Sequence, residues 1–517
     1  MTPVEPSRPP TPPIEWGADP SELGEVFSGQ PGTAVDENLE RALSATGASV
    51  SRRPADLAEA SRDWWPISLR WAAAGLAPRL PSLVVRPHDT SEVSAVLALA
   101  GAASVPVTAA GGRSGVCGGA VPLHGGIALD CCGLAGLYEV DAESLRCRVG
   151  AGTFGPELER ALREEHSLTV GHFPQSIDLA TVGGWVACRG AGQYSTRYGK
   201  IEDIVAGLEV VLADGRVVRT GALAGAGPRS ATGPDLTQLF LGSEGTLAVV
   251  TAASLRLHPL PGYERRAAFA FASFAGGLEA LRLTLSHGAT PAVVRLYDEA
   301  ETRRSFELEG TNLLIALDEG ERRVCDAAMD LLASAASDLG GRPADERLVG
   351  RWLEGRNDVS SLAPLTRAGI VVDTIEVSAP WSVLSSLASE VTSALSAVPG
   401  CLAASVHESH AYTDGACLYF TFAGRGEDPD DDDWAAAYYR LSWDVAMAGC
   451  RRLGASISHH HGVGLVRAPY MKEALGEGFA VLESLKRALD PKGILNPGKL
   501  GLSSPFGPPG EPARGVV

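Results

Sequence analysis

The 517-residue chain has few of the features that mark secreted or membrane-spanning proteins. Its nine cysteines are odd in number and form no Cys-X-X-Cys pair, which favours reduced thiols. The opening MTPVEPSRPPTPP lacks the basic start and apolar core of a signal peptide. The most apolar long stretch, Ala95 to Ala110, contains Gly101 and Pro106 and falls short of the roughly 20 residues that span a bilayer. We therefore expect a cytoplasmic protein.

Positive charge is also scarce. The chain has 44 basic and 62 acidic residues, a formal net charge of −18. A surface this acidic repels phosphate backbones, so nucleic acid is not an expected partner. A few buried arginines can still bind an anionic substrate. With 45% apolar and 21% charged residues, the composition is that of a globular protein, and the length predicts two or three domains.

The first clear elements are a strand at 82–85, an alanine-rich helix that Thr90 or Ser91 can cap, and a strand at 105–108. A glycine-rich turn follows this second strand directly. After Pro261 the composition changes to alternating segments mixed with helices rich in alanine and serine. This change predicts a second, α+β domain with an antiparallel sheet.

The segment GAGTFG at 150–155 matches the Gly-X-Gly-X-X-Gly dinucleotide fingerprint. The full fingerprint also needs an acidic residue at the end of the next strand, which binds the ribose. That strand, at 168–170, is followed by Gly171-His172-Phe173-Pro174, and no acidic residue stands there. We therefore interpret the segment as a tight turn from strand to helix.

Four glycine-rich segments occur within about 140 residues, at 110–116, 175–184, 188–191 and 242–250. Glycine lets backbone N–H groups approach an anion closely and adopts positive φ angles. A diphosphate needs several such donors, so four segments in this order are a strong signal where one would be weak.

The order of these segments resembles the FAD-binding domain of the vanillyl-alcohol oxidase superfamily. More closely, about residues 62–502 resemble the alkyldihydroxyacetonephosphate synthase (alkylglycerone-phosphate synthase) family of ether-lipid synthesis. The phrase TVGGWV and the triple histidine before GVG are the most specific signals. The matching stretches are AAGGRSGV (109–116), GHFPQSIDLATVGGWVACRGAG (171–192), IEDIV (201–205), TGPDLTQLFLGSEGTLAVVT (232–251), VVRLYD (293–298), VVDTIEVSAPW (371–381), GACLYFTF (415–422) and SHHHGVG (458–464).

The resemblance implies an α+β flavoprotein with a two-subdomain PCMH-type FAD-binding domain and an α+β substrate cap domain that has an antiparallel sheet. It divides the chain into an N-terminal extension at 1–77, disordered and then helical, and the FAD-binding domain at 78–261. The cap domain follows at 262–455. A C-terminal segment at 456–502 carries the histidine cluster back to the flavin, and a disordered tail is expected at 503–517.

The implied cofactor is FAD. Some relatives link the flavin to a histidine in the first loop, where this chain has Arg113, so we expect non-covalent FAD. The family has threonine where Ser114 or Gly115 stands, which alters one phosphate contact at most. The expected cofactor-binding residues are Ala110, Gly111, Gly112, Arg113, Ser114, Gly115, Val116, Gln175, Ser176, Ile177, Asp178, Leu179, Ala180, Thr181, Gly183, Gly184, Cys188, Arg189, Gly190, Ala191, Glu244, Gly245, Thr246, Leu247, Ala248, Val249 and Val250.

The resemblance also assigns the reacting groups. Tyr419 matches the family's catalytic tyrosine, which can act as a general base if a nearby cation lowers its pKa below ~10. Arg295 and Arg356 match positions near the substrate, where guanidinium suits phosphate binding. His172 completes the expected substrate site.

The consecutive His459, His460 and His461 are expected to handle protons and contact anions beside the flavin, with His460 the first candidate. Three histidines in a row suggest a metal. However, neighbours on a strand or loop point in different directions, so one ion cannot readily bind all three. No metal is therefore expected.

The implied reaction exchanges the acyl chain of acyl-dihydroxyacetone phosphate for a fatty alcohol through a flavin N5 adduct, with a lipid-like substrate. The alternative is an FAD-linked dehydrogenase or oxidase of a 2-hydroxy acid or alcohol. Relatives of that kind often carry GEHGIG where this chain has HHHGVG at 459–464. Peripheral membrane contact and a homodimer remain open.

Overall fold

The computed structural model describes residues 15–29, 31–359 and 362–508. The disorder predicted for the first residues and for 509–517 falls outside this part of the chain. Residues 503–508, also in the predicted tail, run in turns, and Phe506 packs on His124 with ring centroids 5.8 Å apart. No helix in the described ranges combines the length and apolar composition needed to cross a membrane.

The N-terminal region forms short elements that pack on both of the domains after it: Leu43 shares a core with Leu83, and Trp65 shares one with Phe420. Proline opens both α2 and α3, where the missing N–H has no helical partner to lose. Asp36 caps α1 by accepting a hydrogen bond from the Leu39 N–H at 2.8 Å. The elements are β1 (Gly24–Glu25), α1 (Glu37–Ser44), β2 (Ser49–Ser51), α2 (Pro54–Ala60), α3 (Pro66–Ala73) and β3 (Leu76–Ala77).

The next part of the chain builds two larger sheets and a separate antiparallel pair of short strands, β9 (Leu168–Thr169) and β13 (His258–Pro259). The elements are β4 (Leu83–Arg86), α4 (Thr90–Ala103), β5 (Val107–Ala110), β6 (Ile127–Asp130), β7 (Leu137–Asp141), β8 (Arg146–Gly150), α5 (Gly155–His166), β9 (Leu168–Thr169), α6 (Val182–Cys188), α7 (Ser195–Tyr198), α8 (Ile201–Ile204), β10 (Val205–Val211), β11 (Val217–Arg219), α9 (Leu236–Phe240), β12 (Val249–Arg256) and β13 (His258–Pro259), with 3-10 turns at Cys131–Gly133 and Gly221–Ala224. One sheet has the order β2-β4-β6-β5, with β4, β6 and β5 parallel. The other is antiparallel, with the order β11-β10-β12-β8-β7.

Two local expectations can be compared with this structure. The cap of α4 is Asp89, whose side chain accepts from the Glu92 N–H at 2.9 Å; Thr90 and Ser91 already lie inside the first turn, so the expectation that one of them is the cap is wrong. The segment at 150–155 is the expected turn from β8 into α5. A Cβ at Gly152 would lie 2.2 Å from the Cys131 carbonyl oxygen, so packing explains this glycine without a nucleotide.

The third part of the chain is the expected α+β domain. Its single sheet has the order β17-β14-β16-β15-β19-β20-β18, and all of its pairs are antiparallel. Apolar side chains of the helices, such as Leu281, Leu332 and Leu387, share one core with Phe420 and Phe422 of the sheet. The elements are β14 (Glu264–Phe271), α10 (Phe274–Ser286), β15 (Val293–Tyr297), α11 (Glu299–Phe306), β16 (Asn312–Glu319), α12 (Arg322–Asp338), β17 (Arg342–Ala344), α13 (Arg347–Gly355), α14 (Leu362–Arg367), β18 (Val371–Pro380), α15 (Trp381–Ser396), β19 (Cys401–Ala411), β20 (Gly415–Gly424) and α16 (Asp432–Arg452).

The C-terminal segment returns to the first domain through a 3-10 turn at Ala468–Tyr470, α17 (Met471–Leu475) and α18 (Gly478–Leu489). The buried Lys486 ammonium donates to the carbonyl oxygens of Thr246 and Leu495 at 2.8 and 2.7 Å. Leu495 also forms a bridge with Val107 of β5. These contacts attach the C-terminal segment to the first domain.

Candidate cofactor and catalytic site

A cavity of ≈ 400 Å³ lies where the two domains meet. Residues from all four glycine-rich segments line it, together with cap strands β18 to β20 and the histidine segment. The N-terminal region also contributes, through Asp63, Trp64 and Pro66.

The first glycine-rich loop follows β5 and packs directly on the second. A Cβ at Gly112 would lie 1.8 Å from the Leu179 carbonyl oxygen, and one at Gly111 would lie 2.1 Å from the Thr181 hydroxyl oxygen. The backbone N–H groups of residues 112–116 donate to no group in the described part of the chain, although these residues line the cavity. A row of free backbone donors fits the diphosphate of a dinucleotide such as FAD.

Arg113 adopts a left-handed backbone conformation with φ 53°, and its side chain is buried. One guanidinium nitrogen lies 4.0 Å from Asp130, while Nε has no partner among the described residues. This buried, partly unpaired cation is available to an anionic ligand.

The fourth loop is tied to the histidine segment. The buried Glu244 accepts hydrogen bonds from the Gly464 N–H, at 2.8 Å, and from the Val463 N–H. Burial raises the pKa of Glu244, and these backbone donors oppose that shift. Glu244 therefore joins two segments that line the cavity.

Most of the expected cofactor residues line the cavity, and five do not. Asp178 and Arg189 are exposed, and Arg189 pairs with Glu202 at 3.4 Å. Ile177, Thr246 and Leu247 point into the protein interior. The residues that line it are Ala110, Gly111, Gly112, Arg113, Ser114, Gly115, Val116, Gln175, Ser176, Leu179, Ala180, Thr181, Gly183, Gly184, Cys188, Gly190, Ala191, Glu244, Gly245, Ala248, Val249 and Val250.

Tyr419 of β20 and Arg295 of β15 both line the cavity and are joined through His407 of β19. The His407 ring stacks on Tyr419 at 4.8 Å, and its Nε2 lies 2.9 Å from an Arg295 nitrogen. Its Nδ1 lies 3.1 Å from Glu301. Burial raises the pKa of Tyr419, and the lowering by Thr374 and Arg295 is too small to reverse this. The condition under which Tyr419 would act as a base is therefore not met in this structure.

The histidine segment is organised around the buried Glu376 of β18. One carboxylate oxygen accepts from the backbone N–H groups of His459, His460 and His461 at 3.2, 3.1 and 2.8 Å. The other pairs with the fully buried Arg467 and lies 3.1 Å from Nδ1 of His461. Burial alone would raise the pKa of Glu376, but Arg467 and the histidines hold it well below its usual value.

The three consecutive histidines point in different directions, as expected. His460 and His461 line the cavity, while His459 lies behind them and contacts His460 through their Nδ1 atoms at 2.9 Å. A ligand atom from each of His410, His459 and His460 lies within 4.8 Å of the others, a spacing compatible with a metal. Both nitrogens of His459 already have hydrogen-bond partners, Tyr412 and His460, so an ion there would displace one of them.

Arg356 and His172, which were expected near the substrate, do not line the cavity. Arg356 lies over the rings of Tyr194 and Trp352, at 5.1 and 5.6 Å. His172 is fully buried against Trp185 with ring centroids 4.7 Å apart. Burial lowers the pKa of His172 to about 3, so its ring is neutral. Of the expected substrate residues, only Arg295 faces the cavity.

Sequence reasoning missed His410, Asp63 and Trp64, all of which line the cavity. His410 stands in the alternating strand β19, three residues after His407, and the phrase HESHAY was the available signal. Asp63 and Trp64 belong to a region interpreted only as an extension. Part of the cavity wall is apolar and comes from residues that are distant in sequence from the triple histidine. These residues are Trp64, Pro66, Val116, Val359, Leu362 and Val372.

Known proteins resemble the chain over both domains. A family model for an FAD-binding domain matches residues 81–221, and one for the C-terminal domain of FAD-linked oxidases matches residues 260–500. The alkyldihydroxyacetonephosphate synthase of Dictyostelium discoideum is 30% identical over 470 residues, which cover 82% of this chain and 74% of that protein. An uncharacterized FAD-linked oxidoreductase of Escherichia coli (strain K12) is 30% identical over 435 residues, which cover 81% of this chain and 89% of that protein.

A solved structure of alkyldihydroxyacetonephosphate synthase shares the fold, with a TM-score of 0.74 at 23% identity over 93% of this chain and 88% of that one. Fold and cavity thus define a two-domain PCMH-type flavoprotein that binds FAD. Within that class, the chain belongs to the alkyldihydroxyacetonephosphate synthase family.

Proposed function

We propose that the protein exchanges the acyl chain of acyl-dihydroxyacetone phosphate for a fatty alcohol, giving an alkyl ether. The observation that carries this proposal is the composition of the cavity. It combines two arginines, a tyrosine and three histidines with a wall of apolar side chains. That combination suits a substrate with an anionic head and a long hydrocarbon chain.

Arg295 is the proposed phosphate ligand. Its Nε is buried and has no hydrogen-bond partner among the described residues, so it can donate to a phosphate oxygen. Its guanidinium also lies over the Trp352 ring at 5.4 Å, which holds it in place. The chain of the substrate would run along Trp64, Val116 and Val372, where burial of each methylene contributes about 0.8 kcal/mol.

His460 and Tyr419 are the proposed proton-transfer groups. Burial holds the pKa of His460 well below its usual value, so a neutral ring is available to accept the C1 proton. Burial raises the pKa of the Tyr419 phenol, so Tyr419 keeps its proton in the resting site and can transfer it to the leaving acyl oxygen, and it would regain a proton from the hydroxyl of the attacking fatty alcohol. We therefore assign Tyr419 as a proton donor in place of the base suggested by the family match. Bound FAD would supply the electrophilic ring next to which these transfers occur.

The second candidate is an FAD-linked dehydrogenase or oxidase of a 2-hydroxy acid or alcohol. It is supported by the Escherichia coli oxidoreductase, whose identity to this chain equals that of the Dictyostelium synthase. In this reaction His460 would accept the hydroxyl proton and Arg295 would bind a carboxylate.

The test is anaerobic incubation of the FAD-loaded protein with palmitoyl-dihydroxyacetone phosphate and hexadecanol. We expect alkyl-dihydroxyacetone phosphate and free palmitate by mass spectrometry, with the flavin spectrum oxidised at the end. Tyr419→Phe should lower product formation by about 10²–10⁴-fold. Tyr470→Phe, whose hydroxyl donates to Asp444 at 2.8 Å, is the matched control. Flavin bleaching by a 2-hydroxy acid without any ether product would establish the redox candidate.

A cytoplasmic location is proposed together with this function, supported by nine cysteines that are all free thiols. Because the proposed substrate is lipid-like, we also propose contact with a membrane surface. The contacts described above give no specific support for a homodimer.

A further inference from the structure

An unbranched line of hydrogen bonds connects His460 and His410, two of the histidines that line the cavity. Nδ1 of His460 lies 2.9 Å from Nδ1 of His459, and Nε2 of His459 lies 3.0 Å from the Tyr412 hydroxyl. The Tyr412 hydroxyl lies 3.2 Å from the Ser195 hydroxyl, which lies 2.8 Å from Nδ1 of His410. Only the two terminal members, His460 and His410, line the cavity, and their rings are 5.0 Å apart.

This line can be polarised in two ways, and no other arrangement of neutral rings satisfies every link. In one, His460 donates from Nδ1, each member donates to the next, and His410 keeps its proton on Nε2. In the other, every donor and acceptor is reversed, and His460 carries its proton on Nε2 instead. A neutral histidine always has one donor and one acceptor nitrogen, so both arrangements are complete.

We propose that His460, His459, Tyr412, Ser195 and His410 form a proton relay that links proton uptake at one cavity histidine to proton release at the other. The proposal rests on the proposed function, in which His460 takes a proton from the substrate. A proton that arrives on Nε2 of His460 moves one proton along each link. The proton on Nε2 of His410 then passes to the C2 carbonyl oxygen of the substrate, which becomes an enol hydroxyl as C1 loses its proton. Each member gains one proton and loses one, so no net charge is left behind.

Burial explains why a concerted transfer suits this site. Burial lowers the pKa of His459 to about 3 and holds those of His410 and His460 well below the usual value. A lasting imidazolium is therefore unfavourable at each histidine. Burial also raises the pKa of Tyr412, which disfavours a lasting phenolate. A relay that never stores charge avoids both penalties.

The relay also differs from two other roles for these residues, namely direct contact with the substrate and metal binding. Tyr412 and Ser195 do not line the cavity, so they would act as positioning residues that carry protons without touching the substrate. A metal held by His410, His459 and His460 would need a His459 nitrogen that the relay already occupies. Relay and metal site are therefore mutually exclusive.

The test compares Tyr412→Phe, Ser195→Ala and the double variant in the FAD-loaded protein. Because the links are in series, each single variant should lower kcat by about 10–100-fold with KM unchanged. The double variant should be no slower than the slower single variant. The exchange of the substrate C1 hydrogen in D₂O, followed by mass spectrometry, should fall in the same way. Tyr470→Phe is the control, and flavin content shows that each variant has folded.

Three outcomes would overturn the relay. The first is that both single variants retain full activity. The second is that their losses multiply in the double variant, as for independent structural contacts. The third is an equimolar bound metal that is lost in His459→Ala. If the wild-type protein makes no ether, the proposed function fails on its own. The same variants are then compared for flavin reduction by a 2-hydroxy acid, where the relay predicts the same non-additive loss.

Discussion

At the scale of single residues, Glu408 is a buried acid outside the proposed chemistry. Neither carboxylate oxygen makes a hydrogen bond of normal geometry to the described residues, and the side chain is fully buried. Burial raises the pKa of Glu408 to about 8. The folded protein therefore holds a proton that the unfolded chain releases above about 4.5. The free energy of unfolding is therefore not reduced by Glu408 at low pH, and it decreases as the pH rises from about 4.5 towards 8.

Glu408→Gln should accordingly stabilise the protein at pH 8, by roughly 1–3 kcal/mol, and change little at pH 5. The measurement is the unfolding temperature across this pH range. Glu165→Gln, at an exposed glutamate, is the control. An equal change at both pH values would mean that the ionisation of Glu408 is not involved.

Arg467 gives a second prediction at this scale. It is fully buried between Glu376 and the ring of Trp443, at 4.9 Å, and it donates to the Gly462 carbonyl oxygen at 3.0 Å. Arg467→Met removes the buried cation that pairs with Glu376, which should cost about 3–5 kcal/mol in denaturant unfolding. Arg451→Met removes a surface pair with Glu473 and should cost no more than about 1 kcal/mol. Equal losses in the two variants would contradict this account.

Which residues were found from the sequence depends on how far apart the partners lie along the chain. Tyr419 and the triple histidine stand in distinctive local phrases, so a family pattern identifies them. Ser195 and Tyr412 carry no such signal, because Ser195 meets His410 only through a contact that spans 215 positions. The pKa of Tyr419 likewise depends on burial in the folded sheet, which the sequence alone does not show.

At the scale of elements, the first glycine-rich loop should be intolerant of side chains because it packs against the second loop. A Cβ at Gly112 would clash with the Leu179 carbonyl oxygen, which is backbone and cannot swing away. Gly112→Ala should therefore abolish or strongly reduce FAD retention, measured by flavin absorbance per protein after gel filtration. Gly227→Ala, where no atom lies within 4 Å of the added Cβ, should keep the full flavin content. Full retention in Gly112→Ala would show that the loop moves freely.

Element type was easier to predict than element boundaries. The strand at β5, the helix α5 and the antiparallel cap sheet follow from periodicity and turn residues, which act over a few positions. The cap of α4 was misassigned by one residue, since Asp89, Thr90 and Ser91 are all favourable cap residues and only the backbone geometry selects Asp89. The contribution of Asp63 and Trp64 to the cavity arises only from tertiary packing.

At the scale of the whole molecule, the cavity joins parts of the chain that are far apart in sequence. Its walls come from the N-terminal region, the FAD-binding domain, the cap and the histidine segment. Glu244 and Lys486 add polar links between the C-terminal segment and the FAD-binding domain. A ligand in this cavity therefore stabilises the contact between domains as well as each domain.

FAD should consequently couple the unfolding of the two domains. Since the cofactor is expected to be non-covalent, acid treatment should release it, and the remaining apoprotein should unfold in separate steps by calorimetry. Adding FAD at about 100 times its Kd should stabilise the folded state by about 2.7 kcal/mol and merge the steps into one. FAD that shifts only one step would place the cofactor within a single domain, and flavin that stays with acid-precipitated protein would contradict non-covalent binding. Either result would require a different arrangement of ligand and cavity from the one that Arg113 and the free loop donors support.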